Sequence, residues 1–396
     1  MKKYGIILLV MAFLLAPAMA QAVQFSIVGP RALGMGGANV AAVNDSTAVY
    51  WNPAALAQFK KVDIRVPVSV GLHDHVGLKD KWERINDINA LVQAGDLTAA
   101  AEMKQLLQDL DKPNTGADID ASAGLLVSIP LPKSAIAVSA LGLGYAGLFP
   151  TIDTAAGHLD PPGIATNNSA VTGTGIVTVE PAISFATQFG EKFYIGANAK
   201  MINASTYLYS QNIRTGDFSN FTDNLDNSET RSTKASVDAG ILFMPIKSFS
   251  IGFVGRNLTS PKFPVQGTLA VKQPSNDVSL VSATGELKLQ PQYRAGVAWK
   301  PYKNVTFSAD YDLSKNETLT PGYEDQTVAA GVELTLPKEI MSFRGGLYKN
   351  TADSDANVVY TAGFGFRIFY LRVDLAGAYD FDEREYQASV DVALRF

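Results

Sequence analysis

Phe369-Tyr370-Leu371-Arg372-Val373-Asp374-Leu375-Ala376-Gly377-Ala378-Tyr379-Asp380 puts Phe369, Leu371, Val373, Leu375 and Tyr379 on one face and Arg372, Asp374 and Asp380 on the other. A period of two marks a strand whose two faces meet different environments. The strand after it repeats the arrangement, with Tyr386, Val390, Val392, Leu394 and Phe396 opposite Asp391 and Arg395. Upstream, Val305, Phe307, Ala309, Tyr311 and Leu313 oppose Thr306, Ser308, Asp310 and Asp312. Near the start, Val62, Ile64, Val66, Val68, Val70 and Leu72 oppose Asp63, Arg65, Ser69 and Gly71. So many inward charges do not fit a small dry core. Lipid outside and a polar lumen inside satisfy both faces, which is the alternation of a transmembrane barrel.

Working outward from these runs, others lie near 119–129, 134–147, 174–189, 191–208, 231–245, 248–258, 290–300, 325–336, 339–349 and 356–367, giving about fourteen strands. An even number is the habit of single-chain bacterial outer-membrane barrels. The connections alternate in length. Short ones fall at Pro130–Lys133, Gly190-Glu191, Pro245–Lys247, Pro301-Tyr302, Pro337-Lys338 and near Ile368; long ones span 73–118, 148–173, 209–230, 259–289 and 314–324. Tight turns on one rim and long loops on the other complete the pattern, although 350–355 and 381–384 are short for outer loops. Within 73–118, Trp82, Ile85, Ile88, Leu91 and Val92, then Met103, Leu106, Leu107 and Leu110, recur at helical spacing, so two short helices separated near Gly95-Asp96 are expected. Their apolar faces either form a surface groove or pack down onto the barrel rim.

Lys2-Lys3, the apolar run Ile6 to Leu15 and Ala18-Met19-Ala20-Gln21-Ala22 read as a secretory signal peptide over residues 1–22. No later apolar run is long enough for a membrane-spanning helix. The chain of 396 residues has no cysteine, which excludes disulfides, thiolate metal sites and a thiol nucleophile. A net charge of -5 argues against nucleic acid as a partner.

Between the leader and the first strand lies Gly29-Pro30-Arg31-Ala32-Leu33-Gly34-Met35-Gly36-Gly37-Ala38, followed by Asn44-Asp45-Ser46-Thr47-Ala48 and Tyr50-Trp51-Asn52-Pro53-Ala54-Ala55-Leu56. It is too apolar for a solvated tail and too rich in Gly, Asn and Pro for a long helix or strand. This stretch resembles the N-terminal hatch of the FadL/TodX (OMPP1) outer-membrane transport superfamily, in Gly34, Gly36, Gly37, Asp45, Ser46, Asn52, Pro53 and Ala54. The likeness is motif-specific over about 29–58 and architectural over the rest. Its wording, with the helical insertion after the first strand, is most similar to the TraF-like conjugal transfer branch; PorV-type secretion proteins share the hatch motif. The absence of a Cys-x-x-Cys separates it from the thioredoxin-like conjugation protein of the same name.

The resemblance implies an all-β chain: a hatch over 23–60 plugging a barrel over 61–396, in the outer membrane of a Gram-negative bacterium, as a monomer. It implies passive uptake of hydrophobic small molecules, with lateral release beside the third strand, Ser134–Leu148. Gly142, Gly144 and Gly147 there weaken pairing and allow a bend, or else merely relieve crowding against the hatch. The alternative is a docking or accessory barrel in secretion or conjugal transfer. The helical insertion follows the first strand rather than later ones, which puts transfer of the family's capture groove in doubt. The terminal Phe396 resembles the signal read by the barrel assembly machinery. Outer-membrane lipid and a hydrophobic ligand are the other expected partners.

No enzyme, cofactor or metal site is expected. His73-Asp74-His75 lacks further ligands and reads as a loop, His158 is remote, and none of the three histidines falls inside a predicted strand, as a hydrolase would need. Asp63, Arg65, Asp238, Arg256, Arg294, Asp310, Glu333, Arg344, Arg367, Arg372, Asp374, Asp391 and Arg395 are expected to face the lumen, either paired or lining a route.

Overall fold

The computed structural model describes residues 23–74, 77–214, 218–381 and 385–396, so the signal-peptide reading and His75 lie outside the described residues. The strands are β1 (Asp63–Asp74), β2 (Ala117–Pro130), β3 (Ser134–Thr151), β4 (Ala170–Phe189), β5 (Phe193–Asn212), β6 (Thr230–Ile246), β7 (Phe249–Arg256), β8 (Lys262–Lys272) and β9 (Val278–Lys288). They continue as β10 (Gln292–Tyr302), β11 (Val305–Asp312), β12 (Asn316–Glu317), β13 (Glu324–Asp325), β14 (Thr327–Thr335), β15 (Met341–Asn350), β16 (Val359–Ile368), β17 (Leu371–Tyr379) and β18 (Glu385–Arg395). All but β8, β9, β12 and β13 form one closed antiparallel barrel of fourteen strands. It closes where β1 meets β18, in register from Asp63↔Arg395 to His73↔Glu385.

The alternation seen in the sequence sets the two surfaces. Along β1, Asp63, Arg65 and Ser69 are buried while Val66, Val68 and Val70 are exposed. The same inversion of ordinary burial runs round the wall, with Ile183, Phe185, Ile251, Phe343 and Leu375 outward and Glu180, Ser250, Arg344 and Asp374 inward. An apolar outer belt over a polar interior is stable only where lipid replaces water. Aromatic side chains ring both ends, with Phe189, Tyr302 and Tyr370 at the tight turns and Tyr360, Tyr379 and Phe381 at the long loops. No helix among the described residues is long and apolar enough to cross a membrane.

Two connections hold more structure than expected. The span read as a loop over 259–289 contains the hairpin β8–β9, and 314–324 contains most of the small pair β12–β13. Pro264, Gly267 and Pro274 act as breakers in the sequence, yet Phe263, Val265 and Leu269 alternate and bury, the last two against Leu208 of β5. Gly267 lies on that strand so closely that a Cβ would strike the Leu208 carbonyl, at 1.8 Å.

The insertion after β1 forms helices Leu78–Gln93 and Leu97–Leu110. Ile85, Ile88, Val92, Met103, Leu107 and Leu110 pack on Ile152, Ile164 and Ile213 from neighbouring loops. The helices therefore pack down as a cap and present no open groove on that face. Leu91, expected on the apolar face, is exposed, and the Trp82 side chain lies outside the described residues. Asp96 caps the second helix, accepting from the N–H of Thr98 and Ala99 at 2.8 and 3.0 Å. Asp96→Ala is expected to cost about 1 kcal/mol locally, read as faster trypsin cleavage at Lys104 with an unchanged barrel.

Candidate functional site

Residues from Val23 to Phe59 are almost wholly buried and lie against the inward faces of the barrel strands without adding a strand to the sheet. The segment runs from the long-loop end, where the Gln292 amide donates to the Val23 carbonyl at 2.6 Å, to the tight-turn end at Lys60 and Lys61. Glycines in the wall receive it. Gly331 of β14 and Gly346 of β15 are directly paired, and a Cβ on either would come within 2.4 Å of the Met35-Gly36 backbone. Gly36 has φ +67°, and its N–H donates to Thr361 Oγ1 at 3.0 Å. Gly34 rests on Gly363, and Gly37 takes φ +86°.

A second seat lies across the barrel. Asn52 Nδ2 donates to the carbonyls of Val40 and Ile241, both at 3.1 Å, while Asn52 Oδ1 accepts from the Ala54 N–H at 3.1 Å. The Asn52-Pro53-Ala54 turn fits only because β5 and β6 present the paired Gly196 and Gly240. A Cβ on Gly240 would lie 2.1 Å from Asn52 Oδ1.

Charges fasten the segment between the seats. Arg31 grips Glu333 with two bonds, Nε to Oε2 at 3.0 Å and Nη2 to Oε1 at 2.9 Å, and Nη1 donates to Asn39 Oδ1 and the Ala42 carbonyl. Arg344 joins Glu333 at 2.7 Å to Asp374 at 2.8 Å, and Arg372 also binds Asp374. Arg65 pairs with Asp391 and reaches Asp63 and Asp45 at 3.4 and 3.8 Å. Asp63 accepts from the N–H and Oγ of Ser46, and one Asp310 oxygen accepts from the N–H of Asn39 and Val40 at 2.7 and 2.8 Å. Arg294 pairs with Asp312 and lies over Phe25, 4.1 Å from the ring centre, while Arg256 lies over Tyr50 at 3.8 Å. Burial disfavours ionisation of Asp45, but Arg65 and Arg31 outweigh it and hold the carboxyl at about 2.

Placement thus brings Asp63, Arg65, Glu333, Arg344, Arg372 and Asp374 into one buried network, with Arg294 and Asp310 on the next strands and Arg395 at the tight-turn mouth. Asp238 joins a cluster that sequence reasoning passed over: Lys200 binds Glu180 at 2.9 Å and Asp238 at 3.2 Å. Glu180 precedes Pro181 and Lys200 is a lone cation in a long mixed run, so neither advertised itself. Arg31 was read only as part of a motif, and the fourfold use of its guanidinium was invisible. The inward glycines Gly196, Gly240, Gly331 and Gly346 had a usable signal, since each interrupts an alternating strand at an inward position.

Two expectations are corrected. The third strand carries no gap. β3 pairs with β2 continuously from Ala117↔Leu148 to Pro130↔Ala135, and with β4 from Ser134↔Thr187 to Thr151↔Ala170. Gly142 and Gly144 sit inside those ladders, and a Cβ on Gly147 would meet Leu319 and Asp118, neither of them in the inner segment. The interruptions lie at proline instead, where Pro67 in β1 and Pro181 in β4 lack an N–H and the pairing skips two residues. His73, read as a loop residue, is inside β1 and buried, because its face of the strand continues the inward series Asp63, Arg65, Ser69. Its Nε2 lies 2.9 Å from Asp120 and its Nδ1 3.4 Å from Glu385, beside Tyr348, whose hydroxyl is 3.1 Å from Glu385.

Asp325, in the outer hairpin beside this group, is pushed up to about 7 by burial and by the neighbouring Asp312. A carboxyl raised on folding contributes stability below its ordinary range and loses it as pH rises through about 7. Thermal stability is therefore expected to fall between about pH 4 and 7, and Asp325→Asn to flatten that slope in heat-modifiability assays.

The family model described as "F plasmid transfer operon, TraF, protein" matches residues 49–312, more than half of the chain. Among curated proteins none matches by sequence. Solved structures share the fold. The toluene transporter TbuX of Ralstonia pickettii is 13% identical, with 93% of this chain and 97% of that one covered at TM-score 0.55. The toluene transporter TodX of Pseudomonas putida is 10% identical, with 95% and 98% covered at TM-score 0.53. A FadL homologue of Pseudomonas aeruginosa is 13% identical, with 93% and 98% covered at TM-score 0.53.

Proposed function

Because this chain belongs to the family described as F plasmid transfer operon TraF protein and has the FadL/TodX barrel fold, we propose that it is a gated outer-membrane barrel for hydrophobic small molecules, in its closed state. One observation carries the reading: the inner segment fills the lumen through side-chain bonds and glycine seats, with no strand of its own in the wall. A plug held that way can shift without unzipping the barrel. The named cargo of the structural relatives, toluene and monoaromatic hydrocarbons, supplies the substrate class. Passage runs past the displaced segment, and the proposal involves no opening at β3.

A second reading is favoured by the filled lumen and the helical cap: a docking barrel in secretion or conjugal transfer. Uptake of toluene and of a long-chain fatty acid by cells carrying the protein in a lipopolysaccharide-covered outer membrane separates the two. Uptake several-fold above empty cells, rising further with Glu333→Ala, supports the gated channel. Uptake at the empty-cell level for both the natural chain and the loosened variant overturns it in favour of docking.

A further inference from the structure

The tight-turn mouth of the barrel opens into a cavity of about 370 Å³ between the inner segment and the ends of the strands. Lys60, Lys61, Lys247, Lys300, Arg367 and Arg395 line it, and Glu339 is the only carboxylate in its lining. The chain as a whole is acidic, at -5, so this concentration of cations departs from the average surface. The counter-charge is also overdrawn. Glu339 lies 3.0 Å from Arg367 and 3.8 Å from Arg395, so two guanidiniums share one carboxylate, while Arg372, 4.0 Å away, is held by Asp374. Among the described residues, Lys60, Lys61, Lys247 and Lys300 enter no ion pair. Arg395 Nε is buried with no acceptor. Val43, Phe59, Met244 and Phe249 give the lining an apolar part, next to the uncharged polar Asn44, Gln58, Ser248 and Ser250.

The cations are spread too widely for one small anion. Lys247 is in the turn joining β6 and β7, and Arg367 is on β16. Between β7 and β16 the barrel order runs through β10, β11, β14 and β15. Five strand spacings of about 4.8 Å make roughly 24 Å of wall. Only a ligand with several separated negative charges engages both arcs, and one with apolar groups between them also covers the phenylalanines.

We propose that this mouth binds an acidic peptide segment, with carboxylates alternating with apolar side chains, from a partner on the tight-turn side, the periplasmic face of an outer-membrane barrel. Charge complementarity supplies attraction and register, and the apolar floor retains the segment. The inference stands on the mouth alone and holds whether or not the barrel conducts.

The test uses the full chain in nanodiscs and a fluorescein-labelled (Glu-Leu)5 peptide, followed by anisotropy. Saturable binding is expected, weakened at least tenfold between 50 and 500 mM NaCl, with no binding of (Gln-Leu)5 or (Lys-Leu)5. Lys247→Glu with Lys300→Glu should weaken it at least tenfold. Lys262→Glu with Lys315→Glu, on the opposite rim, should leave it unchanged. Heat-modifiable migration checks that each variant is folded, and the salt series on the natural chain stands if the mouth variant fails to fold. Equal binding of (Gln-Leu)5, salt-independent binding, an unaffected folded mouth variant, or competition by 10 mM inorganic phosphate as strong as by unlabelled peptide would each overturn the proposal. The last result would assign the mouth to small anions.

Discussion

Glu333→Ala is expected to be the most damaging single change in the lumen. Glu333 accepts both bonds from Arg31 and one from Arg344, and all three side chains are buried. Removing the carboxylate leaves the Arg31 guanidinium without its ion-pair partner and Arg344 with Asp374 alone, and Arg344 Nη2 already lacks an acceptor. Breaking a buried pair in this way costs about 3–5 kcal/mol. The cost falls on the attachment of the inner segment, because Arg31 is its main ionic anchor. The expected results are a lower midpoint of heat-modifiable migration, faster trypsin cleavage at Arg31, and larger, noisier conductance in planar bilayers. Charge is the cause only if an apolar replacement repairs the defect. Arg31→Met combined with Glu333→Leu should recover much of the loss, since Arg344 keeps Asp374 and the two cavities are filled. If Glu333→Ala melts and conducts like the natural chain, the network does not hold the segment.

The wall was legible in the sequence, and which groups meet inside the lumen was not. Leu371, Val373 and Leu375 against Arg372 and Asp374 report a two-sided strand directly, because side-chain direction alternates with residue number. That logic recovered the fourteen strands and the long-loop and tight-turn rims. It failed at His73, where a strand ran two residues further than its hydrophobic pattern. It failed again at β8–β9, which was read only as part of the long connection 259–289. Which inward groups meet is a matter of register and barrel closure. Arg31 and Glu333 are 302 residues apart, and no local pattern connects them. The glycines of β3 show the same limit. Their spacing resembled a weak seam, yet both ladders run through them without a skip, and the skips occur at Pro67 and Pro181.

Gly345 and Gly346 of β15 offer the sharpest contrast, because adjacent residues face opposite sides of the wall. A Cβ on Gly345 meets no atom within 4 Å, so Gly345→Ala is expected to be neutral or to stabilise the strand slightly. A Cβ on Gly346 would lie 2.4 Å from the Gly36 nitrogen and 2.5 Å from the Met35 carbonyl carbon. Both are backbone atoms, and Gly36 is itself fixed at φ +67° with its N–H on Thr361, so neither can turn aside as a side chain would. Overpacking against mobile side chains costs about 1–3 kcal/mol, and against this backbone Gly346→Ala is expected to reach about 3 kcal/mol or more. The barrel itself has an easier escape than the segment. Its ladder at Gly331↔Gly346 is flanked by pairs on both sides, whereas residues 34–37 meet the wall through packing and the Gly36 N–H on Thr361. Gly346→Ala should therefore leave β-rich circular dichroism intact while exposing the inner segment to trypsin at Arg31 and lowering the heat-modifiability midpoint. Equal behaviour of the two alanine variants would show that the glycine pair is no seat, and that the segment is held by its charges alone.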